Sequence, residues 1–88
     1  MRLYSEIADD ETEEEYLKIS NSIKAIRLSK NLTQEQVSLS MGFTTATFYT
    51  NAENNKQGKH FNLEHIIKIS KILNVDINEF FKGINTTS

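Results

Sequence analysis

Residues 42–52 carry polar and aromatic side chains but no charged one. They comprise four threonines, one asparagine, two phenylalanines and one tyrosine, with one glycine and two alanines. Such a gap is unusual in a chain of 88 residues of which 25% are charged. Threonine hydroxyls donate or accept hydrogen bonds and threonine methyl groups pack on other methyl groups, so this stretch suits contact with the edges of DNA base pairs.

Two short helices are predicted to position this stretch. Thr33 followed by Gln36 fits a capping box, which marks the start of the first helix. Gly42 ends that helix, because glycine adopts a positive φ without steric cost. The second helix is predicted to begin at Thr44 or the next residue and to run to about Glu53. Two helices joined by a turn of three or four residues form the helix-turn-helix of DNA-binding proteins, whose second helix enters the major groove.

Three further helices are predicted around this pair. The first runs from about Thr12, where Glu15 completes a capping box, to Lys30. The fourth begins at Asn62 and carries two apolar stripes, and the fifth begins at Asp76. The sequence has no strand pattern longer than a few residues. The predicted fold class is therefore all-α, a compact five-helix bundle with an extended first helix.

The chain is predicted to form one domain with an uneven charge distribution. Residues 1–15, an acidic N-terminal arm and the start of the first helix, carry seven acids against one base, a net charge of −6. Residues 16–88 carry nine bases against five acids, a net charge of +4. The DNA-binding domain is predicted over 16–82 and a frayed tail over 83–88. The acidic arm is interpreted as a solvated segment or, alternatively, as one that repels phosphate or masks the basic face.

Two segments, IKAIRLSKNLTQEQVSLSMGFTTATFY and NLEHIIKISKILNVDINEFF, resemble the lambda-repressor-like helix-turn-helix family of the Cro/repressor or XRE type. The resemblance covers roughly residues 20–82. It implies a bundle of five helices that binds an operator as a homodimer and regulates transcription. The family usually has an aliphatic residue nine positions after the turn glycine and an acid at the tenth. This chain has Asn51 and Ala52 there, and Glu53 comes one residue later.

The exposed face of the second helix of the motif is predicted to contact bases. The residues are Thr44, Thr45, Ala46, Tyr49 and Thr50. A charge-free face favours readout through hydroxyl and methyl groups, as at A·T-rich sites. The alternative for the threonines is that they cap and space a short helix. The alternatives for Tyr49 are partial burial against a neighbouring helix and a phosphate contact through its hydroxyl.

Polar and basic residues around this helix are predicted to contact DNA phosphates. The residues are Gln34, Arg27, Lys30, Asn54, Lys56 and Lys59. The family resemblance implies that Gln34 hydrogen-bonds a phosphate and braces the third helix. Gln34 lies in the first turn of a helix whose free N–H groups already favour an anion. Phosphate contacts supply salt-dependent affinity and little sequence preference. The alternative for the loop residues is simple solvation.

Apolar side chains near the C-terminus exceed what one small core needs. Phe80, Phe81 and Ile84 are therefore predicted to form a homodimer interface, with burial of Phe80 or Phe81 in the core as the alternative. A two-fold dimer places its two recognition helices one DNA turn apart, about 34 Å, and so predicts a palindromic operator.

The predicted function is sequence-specific, DNA-binding transcriptional regulation, with repression as the favoured mode. The predicted partners are duplex DNA and a second copy of the chain. The alternative is an antitoxin or another protein-interaction module of this fold, with a protein partner. No metal, cofactor or enzyme site is predicted, because His60 and His65 fall on different sides of any helix and the sequence has no cysteine and no nucleophile–base pair. The N-terminus has no long apolar run, so neither a signal peptide nor a membrane segment is predicted and a cytoplasmic protein is expected.

Overall fold

The computed structural model describes residues 1–84, and helices make up most of this range. The α-helices are α1 (Asp9–Ser29), α2 (Gln34–Ser40), α3 (Thr47–Glu53) and α4 (Leu63–Leu73). Two 3₁₀ helices, Tyr4–Glu6 and Ile77–Phe81, lie near the two ends of this range. Residues 1–84 contain no β-strand, and the all-α fold class is confirmed. The part of the predicted tail beyond residue 84 lies outside the described residues.

The predicted fifth helix is a 3₁₀ helix of five residues, so residues 1–84 contain four α-helices rather than five. Asp76 caps it as expected, since its Oδ1 accepts a hydrogen bond of 2.8 Å from the N–H of Asn78. The backbone bonds here join residues three apart, from the N–H of Glu79 to the carbonyl of Asp76 at 2.9 Å. Such tight turns are typical of segments too short to build several α-helical turns.

The first helix begins at Asp9, three residues before the predicted start at Thr12. Glu11 caps the N-terminus of α1, because its Oε2 accepts a hydrogen bond of 3.1 Å from the N–H of Ala8. The same carboxylate forms a salt bridge of 2.6 Å with Arg2. Acidic side chains in the first turn also interact favourably with the helix dipole. Much of the acidic segment is therefore part of α1.

The ends of α1 and α2 and the starts of α2 and α4 lie where the sequence predicts. Asn31 follows α1 with a φ of 59°, and Gly42 follows α2 with a φ of 92°. The capping box at the start of α2 is confirmed: the Gln36 N–H donates to Thr33 Oγ1 at 3.0 Å, and the Thr33 N–H donates to Gln36 Oε1 at 2.8 Å. Asn62 caps α4 in the same way, through the N–H of the residue three positions on.

The core lies where α1, α3, α4 and the C-terminal 3₁₀ helix meet. Its buried apolar residues are Ile23, Val37, Tyr49, Ala52, Phe61, Ile66, Ile69, Leu73 and Phe80. Phe80 is fully buried in the core, which corrects its predicted place in a dimer interface, and the 3₁₀ helix that carries it packs against α1 and α4. Phe81 packs on the same core and, like Ile84, is half-buried. Over residues 1–84, no helix combines the length and apolar character needed to cross a membrane.

Replacing Gly42 with alanine should destabilise the domain through backbone strain. Its φ of +92° is one that L residues rarely adopt, and no neighbouring atom lies within 4 Å of the added Cβ. We expect the free energy of unfolding, measured by urea denaturation, to fall by roughly 1–2 kcal/mol. The control is Gly83→Ala, whose Cβ would meet Lys18 at an ordinary 3.8 Å and whose φ is outside the left-handed region. Equal losses in the two variants would contradict the explanation.

Candidate nucleic-acid interface

The second helix of the motif, α3, begins at Thr47, so the predicted start at Thr44 or Thr45 is two or three residues too early. Residues 44–46 instead form a bent segment that leads from the turn into the helix. Ser38 of α2 holds this segment, because its hydroxyl donates a hydrogen bond of 2.8 Å to the carbonyl of Thr45. The Thr45 carbonyl thus accepts its hydrogen bond from a side chain of α2 instead of from the backbone of a helix.

One surface of α3 and of the bent segment is open to solvent, and we call it the α3 face. It comprises Thr44, Thr45, Thr47, Thr50, Asn51 and Asn54. The first three are exposed and the others are half-buried. The four members that follow the bend are spaced by three, one and three residues, which places them on one side of a helix. Every member is uncharged and carries a hydroxyl or an amide, groups that donate to and accept from base edges.

Two members of the α3 face, Thr47 and Asn51, were missed by the sequence prediction. The observed helix buries Tyr49, Ala52 and Glu53, so its solvent side carries Thr47 and Asn51 in place of Tyr49. Ala46, predicted to contact a base, is the half-buried N-cap residue of α3. The late position of Glu53 was a usable signal, since it marks this helix as a place where the chain departs from the family pattern.

Tyr49 lies inside the domain rather than on the α3 face. Its side chain is fully buried, and its ring packs against Phe61 with the centroids 5.2 Å apart. Burial, together with the neighbouring carboxylate of Glu53, raises the pKa of the phenol well above its ordinary value and keeps it neutral. The predicted base contact is therefore corrected, and the burial of Tyr49 is complete rather than the partial burial given as the alternative.

Arg27 and Glu53 form a salt bridge in the interior. Arg27 Nε donates to Glu53 Oε2 and Nη2 donates to Oε1, both at 2.9 Å. The side chains are 6% and 0% exposed. The third guanidinium nitrogen, Nη1, donates to the carbonyl of Leu32 at 2.6 Å. All three nitrogens of Arg27 are engaged within the protein, so its predicted phosphate contact is corrected: its charge neutralises Glu53.

Both members of this pair keep their charge at neutral pH. Burial acts to raise the pKa of Glu53, but hydrogen bonds and the charge of Arg27 outweigh it and hold the pKa below the ordinary 4.5. The hydrogen bond to Glu53 likewise raises the pKa of Arg27. A bidentate pair of full charges therefore joins α1 to the end of α3.

Gln34, at the first position of α2, connects this salt bridge to the α3 face. Its Nε2 donates to Glu53 Oε1 at 3.0 Å, and its Oε1 accepts from the Thr50 hydroxyl at 3.2 Å. Gln34 is half-buried. A chain of hydrogen bonds thus runs from the interior to a side chain of the candidate interface, and it fixes α2 and α3 relative to each other.

The remaining predicted phosphate contacts are accessible. Lys56 and Lys59 are exposed in the loop that follows α3, and Asn54 is half-buried at its start. Lys30 is exposed at the C-terminal end of α1. The two histidines occupy separate environments, and residues 1–84 contain no cluster of three or more side chains suited to hold a metal ion.

A family model described as Helix-turn-helix matches residues 23–80, about two thirds of the chain. The chain belongs to this helix-turn-helix family. The family is of the XRE or lambda-repressor-like type, which confirms the resemblance seen in the sequence and indicates a DNA-binding regulator. Members are regulatory and generally not enzymes. No curated protein and no solved structure matches the chain.

The departure from the family pattern concerns the end of α3 in this helix-turn-helix domain. Ala52 and Glu53 are both buried, and they take the places of the aliphatic residue and the acid in the pattern. Because Glu53 pairs with Arg27, the buried end of α3 keeps its register. Residues 44–46 form the bend that precedes α3 and carry the N-terminal part of the α3 face.

Replacing Arg27 with methionine should cost the helix-turn-helix domain far more stability than a surface substitution. The change leaves the Glu53 carboxylate buried without its cation, and we expect a loss of about 3–5 kcal/mol in urea denaturation. The double variant Arg27→Met/Glu53→Leu should recover most of this loss, since it removes both charges and keeps apolar volume. A single variant as stable as the unsubstituted chain would show that the pair does not constrain the fold.

Acid should weaken the fold through Glu53. Because the pKa of folded Glu53 lies below 4.5, the ion pair contributes fully above pH 4.5 and its contribution is lost as the pH falls through the folded pKa. We expect the free energy of unfolding to fall in this range by up to about 1.4 kcal/mol per pH unit for this group. The slope should be smaller in Arg27→Met/Glu53→Leu, and urea titrations from pH 7 to acid measure it. Equal slopes would contradict the assignment.

Proposed function

We propose that the chain is a sequence-specific transcriptional regulator that binds duplex DNA with the α3 face in the major groove. The observation that carries this proposal is the composition of that face, which consists of hydroxyl and amide side chains on the second helix of a helix-turn-helix. An asparagine amide such as that of Asn51 matches the donor and acceptor of adenine, and a threonine methyl packs on the thymine methyl. These chemistries favour operators rich in A·T pairs.

Phosphate contacts would come from both ends of the motif. Lys56 and Lys59 follow α3, Lys30 ends α1, and Gln34 starts α2 beside the free N–H groups of that helix. The net charge of +4 on residues 16–88 supports attraction to DNA despite the acidic N-terminus. Such contacts position the domain without reading sequence.

The mode of action that we propose is repression from a palindromic operator bound by a homodimer in the cytoplasm. Occupation of the major groove by two recognition helices about 34 Å apart blocks access to the same stretch of DNA. Phe81 and Ile84 remain candidates for the interface, since both are half-buried, whereas Phe80 belongs to the core.

The second candidate function is that of a protein-interaction module, such as an antitoxin. The observation that favours it is the N-terminal segment, which combines a net charge of −6 over residues 1–15 with fully exposed Tyr4 and Met1 side chains. Binding to DNA in low salt separates the two candidates, because a regulator of this family should bind random duplexes weakly and lose affinity steeply as salt rises.

Selection of bound sequences from a random duplex pool tests the proposed function. A palindrome should emerge, and Thr47→Ala/Asn51→Ala should change the preferred bases and weaken the selected site by about 1–3 kcal/mol per lost contact, or tenfold or more. Lys56→Ala should instead weaken all duplexes about equally. Thr12→Ala, an exposed threonine on α1, is the matched control and should change neither property.

Two results would count against the proposal. Unchanged base preference in Thr47→Ala/Asn51→Ala would place the reading surface elsewhere on the domain. Absence of any duplex binding at low salt would favour the protein-interaction module.

A further inference from the structure

The N-terminal arm, residues 1–8, leaves apolar side chains in solvent. Met1 and Tyr4 are almost completely exposed, and Leu3 and Ile7 are 56% and 42% exposed. The arm nevertheless has a defined conformation, because a 3₁₀ turn spans Tyr4–Glu6 and a salt bridge ties the arm to the first turn of α1. Several large apolar side chains held together on a protein surface mark an interaction site.

A groove between the end of α2 and the outer side of α4 provides a surface of the matching kind. It is lined by Ser40, Met41, Lys68, Lys71 and Ile72. Met41 and Ile72 pack on the core and are only half-buried, so they form an apolar floor, and the two exposed lysines form a basic rim. We call it the α2–α4 groove.

Further apolar surface lies on the same two helices. Leu39 of α2 is 53% exposed, and Ile67 and Leu63 of α4 are 40% and 66% exposed. Leu63 and Ile67 are one helical turn apart, so they share a side of α4. Leu17 and Leu28 of α1 are also exposed, but the N-terminal arm and the helices that form the α2–α4 groove carry most of the exposed large apolar side chains of residues 1–84.

The charges beside these two apolar surfaces are opposite. Glu6 lies in the arm, and Asp9 and Asp10 follow it, and none of the three forms a salt bridge within residues 1–84. At the groove, Lys68 has only an exposed partner on its own helix, Glu64, and within the same range Lys71 has none. An apolar segment followed by acids thus matches an apolar groove edged by lysines, which is the complementarity that specific interfaces show.

The arm does not occupy the groove of its own chain. Within the described structure the arm lies along α1, where Arg2 and Ile7 line a cleft with Lys18, and no arm residue lines the α2–α4 groove. Lys18, which lines this cleft, also lies beside the C-terminal segment, since a Cβ at Gly83 would lie 3.8 Å from that of Lys18.

We propose that the N-terminal arm of one copy binds the α2–α4 groove of a second copy, and that the reciprocal contact completes an arm-exchanged homodimer. In a two-fold dimer each contact occurs twice, so two short arms together contribute an interface that neither contributes alone. Leu3, Tyr4 and Ile7 cover the floor of the groove, and the acids that follow face its lysines. This inference rests on the proposed homodimer and names its interface.

Disulfide trapping tests the arm exchange directly, because the chain has no cysteine of its own. Ser5→Cys, in the arm, is mixed with Ser40→Cys, at the groove, under mild oxidation. We expect a cross-linked dimer, and mass spectrometry should identify the peptide pair joined through the two introduced thiols. The matched control mixes Ser5→Cys with Ser29→Cys, another exposed serine, and should give little cross-link.

A charge exchange provides the second measurement. Lys68→Glu/Lys71→Glu should raise the dimer dissociation constant by about tenfold or more in sedimentation equilibrium, since two ion pairs are lost at each of two contacts. Glu6→Lys/Asp9→Lys should do the same, and the combination of all four changes should restore the dimer. Lys24→Glu, an exposed lysine of α1, is the control and should leave the constant unchanged.

A chain that stays monomeric, or a dimer without the disulfide between arm and groove or without charge rescue, would overturn the arm exchange. So would an intramolecular disulfide in dilute Ser5→Cys/Ser40→Cys, which would assign the groove to the chain's own arm. Salt-dependent binding to duplex DNA is measured on the same samples. Retained DNA binding by a dimer that lacks these contacts rejects the arm exchange alone, and DNA binding by a monomer rejects the proposed homodimer as well, whereas absent DNA binding rejects the proposed function.

Discussion

The structure depends on one buried pair of charges. Arg27 and Glu53 are 26 residues apart in sequence, and their bidentate contact joins the longest helix, α1, to the end of one of the shortest, α3. Removing two ions from water costs several kcal/mol each, and this cost is offset only when the geometry is good and the remaining donors and acceptors are satisfied. Gln34 and the carbonyl of Leu32 satisfy them here. The pair therefore stabilises one register of α3 relative to α1 and destabilises the others.

This constraint determines which side of α3 meets solvent. A helix of seven residues is too short to be stable by itself, so its orientation comes from what it packs against. With Glu53 fixed, Ala52 and Tyr49 turn into the core, and the opposite side of the helix presents Thr47 and Asn51. Stability and the composition of the candidate interface thus come from the same contacts, and a change inside the domain would rotate or loosen the surface outside it.

The sequence predicted features that depend on neighbouring residues and failed where distant residues decide. The capping box of Thr33 and the stop at Gly42 are local, and both were predicted correctly. The start of α1 was placed too late because the contact that extends it, from Arg2 to Glu11, spans nine residues of an apparently solvated segment. Arg27 and Tyr49 were assigned to DNA because both residue types suit surfaces as well as interiors, and only the tertiary partners distinguish the two environments.

The hydrogen bond between Thr50 and Gln34 determines whether Thr50 acts as a donor or as an acceptor at the candidate interface. A hydroxyl has one proton and two lone pairs, and at Thr50 the proton points to the amide oxygen of Gln34. The Thr50 oxygen can still accept a hydrogen bond from outside the domain. In the major groove the matching donor is an exocyclic amino group, the N6 amine of adenine or the N4 amine of cytosine, whereas a carbonyl oxygen of thymine or guanine does not match. A side chain that could hydrogen-bond in either direction is thereby restricted by its neighbour to one.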